Sequence, residues 1–189
     1  MYLSGHYLTE FRSVPTIVLW RDPRDIVVSW YYHTLTSNVS HPIVKKHALD
    51  HLHIRDLTDI RTNLPDFIDY MFTDQKVPKF TWVDFFNQWH ENNNAFHTSY
   101  ERLSDDPSTE LAKICSYLKI DSIESEILKA VTDHSFEAKS GRRQGVSDNS
   151  NFMRKGVKGD WQNCFTEEAT TRLKSKIDHR LEWYTENFS

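Results

Sequence analysis

Residues 14–35, VPTIVLWRDPRDIVVSWYYHTL, constrain the fold more than any other stretch of the chain. VPTIVLW is a short β-branched run that ends on a cluster of charges, and it reads as a buried strand. The residues after it carry the start signals of a helix with no loop between. Asp22 suits the N-cap, Pro23 the first helical position, and Asp25 stands three residues after the cap. A strand that runs straight into a helix through a tight turn belongs to α/β folds.

The rest of the chain supplies further elements. In WVDFFNQW, Trp82, Phe85, Phe86 and Trp89 fall at i, i+3, i+4 and i+7, the spacing of an amphipathic helix. NAFHTSY, residues 94–100, reads as a second strand, and DDPSTELAKICSYLKI and SIESEILKAV as helices. The tail from Thr166 has acids first and cations later, which suits a helix dipole. Residues 40–79 hold four histidines and scattered prolines and read as short helices and loops. At 189 residues the expectation is one domain, 1–189, with mass enough for a real core. No apolar run approaches the ~18 residues of a membrane span, and MYLSGHYLTEFRS lacks the layout of a secretory leader. Two cysteines, Cys115 and Cys164, make no disulfide framework, so the expected compartment is the cytoplasm.

The net charge of −4 argues against a broad nucleic-acid surface, but the charge is unevenly placed. Between Lys139 and Lys158 stand six cations (Lys139, Arg142, Arg143, Arg154, Lys155, Lys158) and one acid, Asp148, a local +5. Such a segment is either a solvated basic loop or a holder for one anionic ligand. Gly156, directly after Arg154 and Lys155, would let backbone N–H groups approach a phosphate with no Cβ in the way. The strand-to-helix turn offers a matching half. Arg21 stands at the carboxyl end of the strand, where open α/β sheets bind ligands, and a helix N-terminus follows. Ser29 interrupts the apolar run of that helix. Its hydroxyl can bond back to its own helix or reach the same anion as Arg21.

These stretches resemble one family. RDPRDIVVS resembles the 3′-phosphate-binding element of sulfotransferases that use 3′-phosphoadenosine 5′-phosphosulfate (PAPS). RKGVKGDWQNCFT resembles that family's carboxyl-terminal element, which closes over the nucleotide. HTSYERL and DPSTELAKICSYLKI are similar to a strand and helix between them, and HSFEAKSGRRQG to the segment whose aromatic contacts the adenine. The resemblance implies a three-layer α/β parallel-sheet fold of the P-loop-NTPase-like sulfotransferase type. It implies PAPS as cosubstrate, adenosine 3′,5′-bisphosphate as product, and a hydroxyl- or amine-bearing small molecule, lipid or glycan as acceptor. Residue by residue, it implies that Arg21 and Ser29 hold the 3′-phosphate from the helix turn. Arg154, with the backbone of Lys155 and Gly156, would hold it from the other side. Phe136, Phe152 and Met153 would pack near the adenine, although ordinary core is an equally good reading of these three, and Tyr100 would lie beside it. LSGHYL resembles the segment that carries a catalytic histidine, which makes His6 the candidate base for the acceptor proton.

Two expectations are negative. His47 and His51 are four apart and could share a metal on a helix, but no third ligand accompanies them, and no metal is expected. The family's strand followed by a Gly/Ser/Thr/Lys loop, which cradles the 5′-phosphosulfate, has no counterpart in the 189 residues. The fold is therefore expected to be N-terminally truncated, with an exposed sheet edge. The competing expectation to an enzyme is a remnant that binds 3′-phosphoadenosine nucleotides without turnover.

Overall fold

The computed structural model describes residues 14–73 and 80–188. His6 lies outside them. Strand β1 (Thr16–Trp20) leads through two residues into helix α1 (Pro23–Leu35). Asp22 caps α1 by accepting from the Arg24 backbone N–H at 2.8 Å, and its carboxylate also pairs with the Arg24 guanidinium at 2.6 Å. Helices α2 (Pro42–His51), α3 (Ile60–Thr73) and α4 (Trp82–Trp89) follow, and then strand β2 (Ala95–Ser99). The chain continues through α5 (Tyr100–Asp105), α6 (Pro107–Tyr117), α7 (Glu124–Asp133) and α8 (Phe136–Ser140). It ends with α9 (Trp161–Cys164), α10 (Glu167–Ile177) and α11 (Arg180–Phe188). Residues 40–73, the described part of the segment 40–79, are thus more regular than their prolines suggest, because α2 starts on Pro42 and α3 buries Leu64, Phe67 and Ile68.

The two strands pair in parallel, from Thr16 opposite Ala95 to Trp20 opposite Ser99. Parallel pairing requires a crossover, which α1 to α4 provide. Alternation then sorts the side chains. Val18, Trp20 and His97 face α4 and α11, and Trp20 meets Phe85 and Trp183 edge-on with ring centroids 5.2 Å apart. The Trp20 indole N–H also donates to His97 Nδ1 at 2.9 Å. On the other side Phe96 packs on Tyr117 and Thr98 donates to Glu110, so α6 covers β2. Helices on both faces of a parallel sheet give the three-layer α/β architecture. On β1 that second face is barer, with Ile17 37% and Leu19 53% exposed.

The larger core lies beside the sheet. Val27, Val28, Tyr31 and Leu35 of α1 pack with Leu64, Phe67 and Ile68 of α3 and with Ala169, Leu173 and Ile177 of α10. This fixes α1 from one side and leaves its other side for the glycine-rich segment described next. The turn before α1 is braced from below. Glu101 accepts from the Asp22 backbone N–H at 3.3 Å and from the Tyr184 hydroxyl, and burial pushes the Tyr184 phenol far up.

Candidate nucleotide site

Positions 25, 29, 32, 33 and 36 recur at helical spacing and form one stripe along α1 and its C-cap. The segment 149–161 lies along this stripe in the opposite direction. At the far end Thr36 donates from its hydroxyl to the Asn149 carbonyl at 2.6 Å, and Asn38 N–H to Ser150 at 2.8 Å. In the middle Phe152 meets His33 edge-on at 5.7 Å, and the Arg154 guanidinium lies 4.4 Å from the Tyr32 ring centroid. At the near end the Asp25 carboxylate accepts from the backbone N–H of Gly159 at 2.6 Å and of Trp161 at 2.9 Å. The two elements singled out in the sequence are therefore joined along their length, across 134 and 136 residues at the near end.

Asp25 is only 2% exposed. Its position suggests a capping box, but its carboxylate leaves the helix turn and serves the distant loop. Burial raises its pKa, against the pull of the two backbone N–H groups and the nearby Arg21 charge.

Asp160 is the second buried carboxylate, 5% exposed. Arg154 donates to one of its oxygens, and Lys155 Nζ to the other at 2.6 Å, with Asn163 adding a third donor at 3.1 Å. Burial opposes its ionisation, yet these partners hold it at about 2. The basic excess of the sequence is thus smaller in space. Arg154 and Lys155 share Asp160, Lys158 pairs with Asp105, and Arg142 donates to the carbonyls of Val146, Met153 and Arg154. An open cleft of about 320 Å³ borders the cluster, lined by Tyr32, Arg61, Arg154, Lys155 and Asp160 among others.

Arg21 differs from these cations. Its guanidinium stacks 4.3 Å from the Tyr100 ring centroid, and its Nε is buried with no hydrogen-bond partner among the described residues. A buried donor left unpaired is costly, and a phosphate oxygen would satisfy it. Ser29 is half-buried on the α1 stripe, between Asp25 and His33. Phe136, half-buried, packs against the backbone of Gly156, and Met153 offers its carbonyl to Arg142. Phe152 is 71% exposed, which removes the core reading of that side chain.

Asp25, Asp160 and His33 were not among the sequence candidates. Asp160 stood two residues outside the basic window. Asp25 was legible only as part of a stripe with Ser29 and Tyr32. His33 has its Nδ1 buried without a hydrogen-bond partner among the described residues, and burial lowers its pKa. His47 and His51 lie on α2 with stacked rings 4.0 Å apart, and no group of three or more potential metal ligands occurs among the described residues.

A family model described as the sulfotransferase domain matches residues 9–186. The chain belongs to the sulfotransferase family. Among curated proteins, this sulfotransferase chain is 27% identical to sulfotransferase 1E1 of Rattus norvegicus over 185 residues, covering 90% of this chain and 56% of the relative. It is 28% identical to an amine sulfotransferase of Oryctolagus cuniculus over 172 residues, covering 83% of this chain and 51% of that protein. The chain thus spans about half the length of these relatives. Among solved structures, mouse sulfotransferase SULT7A1 in complex with adenosine 3′,5′-bisphosphate superposes with a TM-score of 0.65 at 24% identity, covering 92% of this chain and 62% of that one. A retinol dehydratase in complex with androsterone and the same nucleotide gives 0.58 at 22% identity, covering 90% and 48%. These two likenesses confirm the fold. No helix among the described residues is long and apolar enough to cross a membrane.

Proposed function

We propose that this sulfotransferase-family chain grips the 3′-phosphate of PAPS, and serves transfer of its sulfuryl group to a hydroxyl or amine of an acceptor, in the cytoplasm. The observation that carries the reading is the buried Nε of Arg21, unpaired among the described residues, at the turn where β1 ends and α1 starts. The bound nucleotide in the mouse relative supports it. In this reading Arg21 and Ser29 hold the 3′-phosphate from α1. Arg154 holds it from the loop together with the backbone of Lys155 and Gly156. One carboxylate does not exhaust the five donors of a guanidinium, so Arg154 can keep Asp160 and still reach a phosphate. Phe136, Phe152 and Met153 line the adenine, with Tyr100 beside it under Arg21. During transfer the acceptor oxygen forms a bond to sulfur as the bond from sulfur to the bridging phosphate oxygen breaks. His6 takes the acceptor proton, and adenosine 3′,5′-bisphosphate leaves.

A second reading is nucleotide binding without turnover, since binding that brings no donors to the bridging oxygen does not accelerate transfer. Mass spectrometry of the chain incubated with PAPS and a panel of alcohols, phenols and amines separates the two. A sulfated acceptor supports transfer, and nucleotide binding with no sulfated product supports the second reading.

Arg21→Ala should weaken adenosine 3′,5′-bisphosphate by about 1.5–3 kcal/mol, the range for hydrogen bonds to charged groups. Adenosine 5′-monophosphate, which lacks the 3′-phosphate, should bind the variant and the parent alike in the same titration. Equal loss for both nucleotides would place Arg21 elsewhere on the ligand.

A further inference from the structure

The nucleotide grip proposed above is made of two pieces far apart in sequence, and something must hold them in register to the fraction of an ångström that charged hydrogen bonds require. The cross-links in the middle of the α1 stripe are soft. The contacts of Phe152 with His33 and of Arg154 with Tyr32 are ring contacts, which tolerate sliding. The Asp25 contacts are different in kind. One carboxylate, anchored in the first turn of a helix packed on the core, fixes two backbone N–H groups at 2.6 and 2.9 Å. Those two groups, on Gly159 and Trp161, flank Asp160 on either side.

Asp160 in turn fixes the side chains of Arg154 and Lys155. The chain of contacts therefore runs from the core helix through the Asp25 carboxylate to the loop backbone, then through the Asp160 carboxylate to the two cations. Trp161 adds a lateral stop, with the Arg24 guanidinium 3.8 Å from its ring centroid and its own ring against Phe165. Arg24 is itself held by Asp22, so both ends of the brace come from the turn that carries Arg21.

We infer that Asp25 is a positioning residue: it docks the Gly159–Trp161 backbone onto α1 and so sets Arg154 and Lys155, through Asp160, opposite Arg21. This rests on the nucleotide reading for its purpose, but the docking itself can be measured without ligand. Asp25 does not touch the phosphate in this scheme. Free of the loop, its negative charge would repel one, so the two N–H groups also spend that charge where it does no harm.

Asp25→Asn tests the inference with little change of shape. An amide keeps one acceptor oxygen but turns an NH₂ toward the second backbone N–H, so one of the two bonds is broken and becomes a donor–donor contact. In hydrogen exchange of the ligand-free protein, the amides of Gly159 and Trp161 and their neighbours in 154–162 should exchange faster in Asp25→Asn, while core amides of α1, α3 and α10 keep their protection. In titrations, adenosine 3′,5′-bisphosphate should bind the variant roughly tenfold more weakly, in line with the loss of one charged hydrogen bond. Adenosine 5′-monophosphate should bind it as it binds the parent. Unchanged exchange across 154–162 overturns the docking role. Faster exchange with undiminished 3′,5′-bisphosphate affinity overturns the link from docking to the grip. Faster exchange in a protein whose parent binds neither nucleotide supports the docking role and overturns the nucleotide reading instead. If Asp25→Asn does not fold, the parent and Trp161→Phe, which changes the ring beside Arg24 and keeps both Asp25 bonds, supply the test: the backbone amides of residues 159 and 161 should be protected in both. Unprotected amides at these two positions in the parent, or loss of their protection in Trp161→Phe, also overturn the docking role.

Discussion

Replacing Asp160 by alanine should lower the stability of the chain by about 3–5 kcal/mol, toward the lower end because Lys155 keeps some contact with water. Asp160 is the only acid in contact with the Arg154 and Lys155 side chains among the described residues, and it is 5% exposed. Removing it leaves two cations half-buried and uncompensated, a larger penalty than the loss of an exposed ion pair. The same carboxylate gives a pH signature. Its folded-state pKa, about 2, lies below its ordinary 3.8, so the unfolded chain binds the proton more tightly. Its stabilising contribution is full above about pH 4 and is lost as pH falls toward 2, for a total of about 2 kcal/mol. Urea denaturation at neutral pH checks the first figure. Repeating it down the acid range, with the variant as reference, checks the second, since the variant should lack this part of the acid loss. A cost below about 1 kcal/mol would mean that Arg154 and Lys155 are solvated and that Asp160 does not organise them.

Gly156→Ala should cost about 2–4 kcal/mol, the sum of two effects at one atom. Gly156 has φ +68°, in the left-handed region that a Cβ disfavours. A Cβ built there would also lie 2.3 Å from Cδ2 of Phe136. A ring carbon cannot bend away as the end of a long side chain can, so Phe136 or the loop must shift. Either movement displaces the backbone that follows Arg154 and Lys155. Phe136→Ala relieves the clash but not the backbone strain, so the double variant should recover part of the loss on the Gly156→Ala background. Urea denaturation of the two single variants and the double variant measures this directly. A Gly156→Ala chain as stable as the parent would show that the loop and Phe136 are not packed as described.

The sequence carried the fold well where the signals were local. Asp22 and Pro23 mark the start of α1, and the Trp82–Trp89 spacing gives α4, because caps and periodicity act within one turn. The parallel pairing of Thr16–Trp20 with Ala95–Ser99 depends on contacts across some eighty residues, and only the strand identities were legible. For the site, Arg21, Ser29 and Arg154 stood out through residue type and position. The buried acids beside them, Asp25 and Asp160, did not. Asp25 looked like a capping residue because its distant partners are backbone N–H groups, which leave no trace in side-chain chemistry. Counting charges from Lys139 to Lys158 stopped short of Asp160, so a cluster that Asp160 and Asp105 partly neutralise in space read as +5. Phe152 was open between core and adenine contact, and only its exposure decides against the core.

The central claim is that this chain recognises a phosphate at the 3′ position of an adenosine nucleotide. Calorimetric titration of the unmodified protein with adenosine 3′,5′-bisphosphate and, separately, adenosine 5′-monophosphate tests it most directly, at one ionic strength because both ligands are anions. The account predicts that the 3′,5′-bisphosphate binds at least about tenfold more tightly, the least that one charged hydrogen bond to the extra phosphate supplies. Equal affinities, or no binding of either nucleotide, would contradict it.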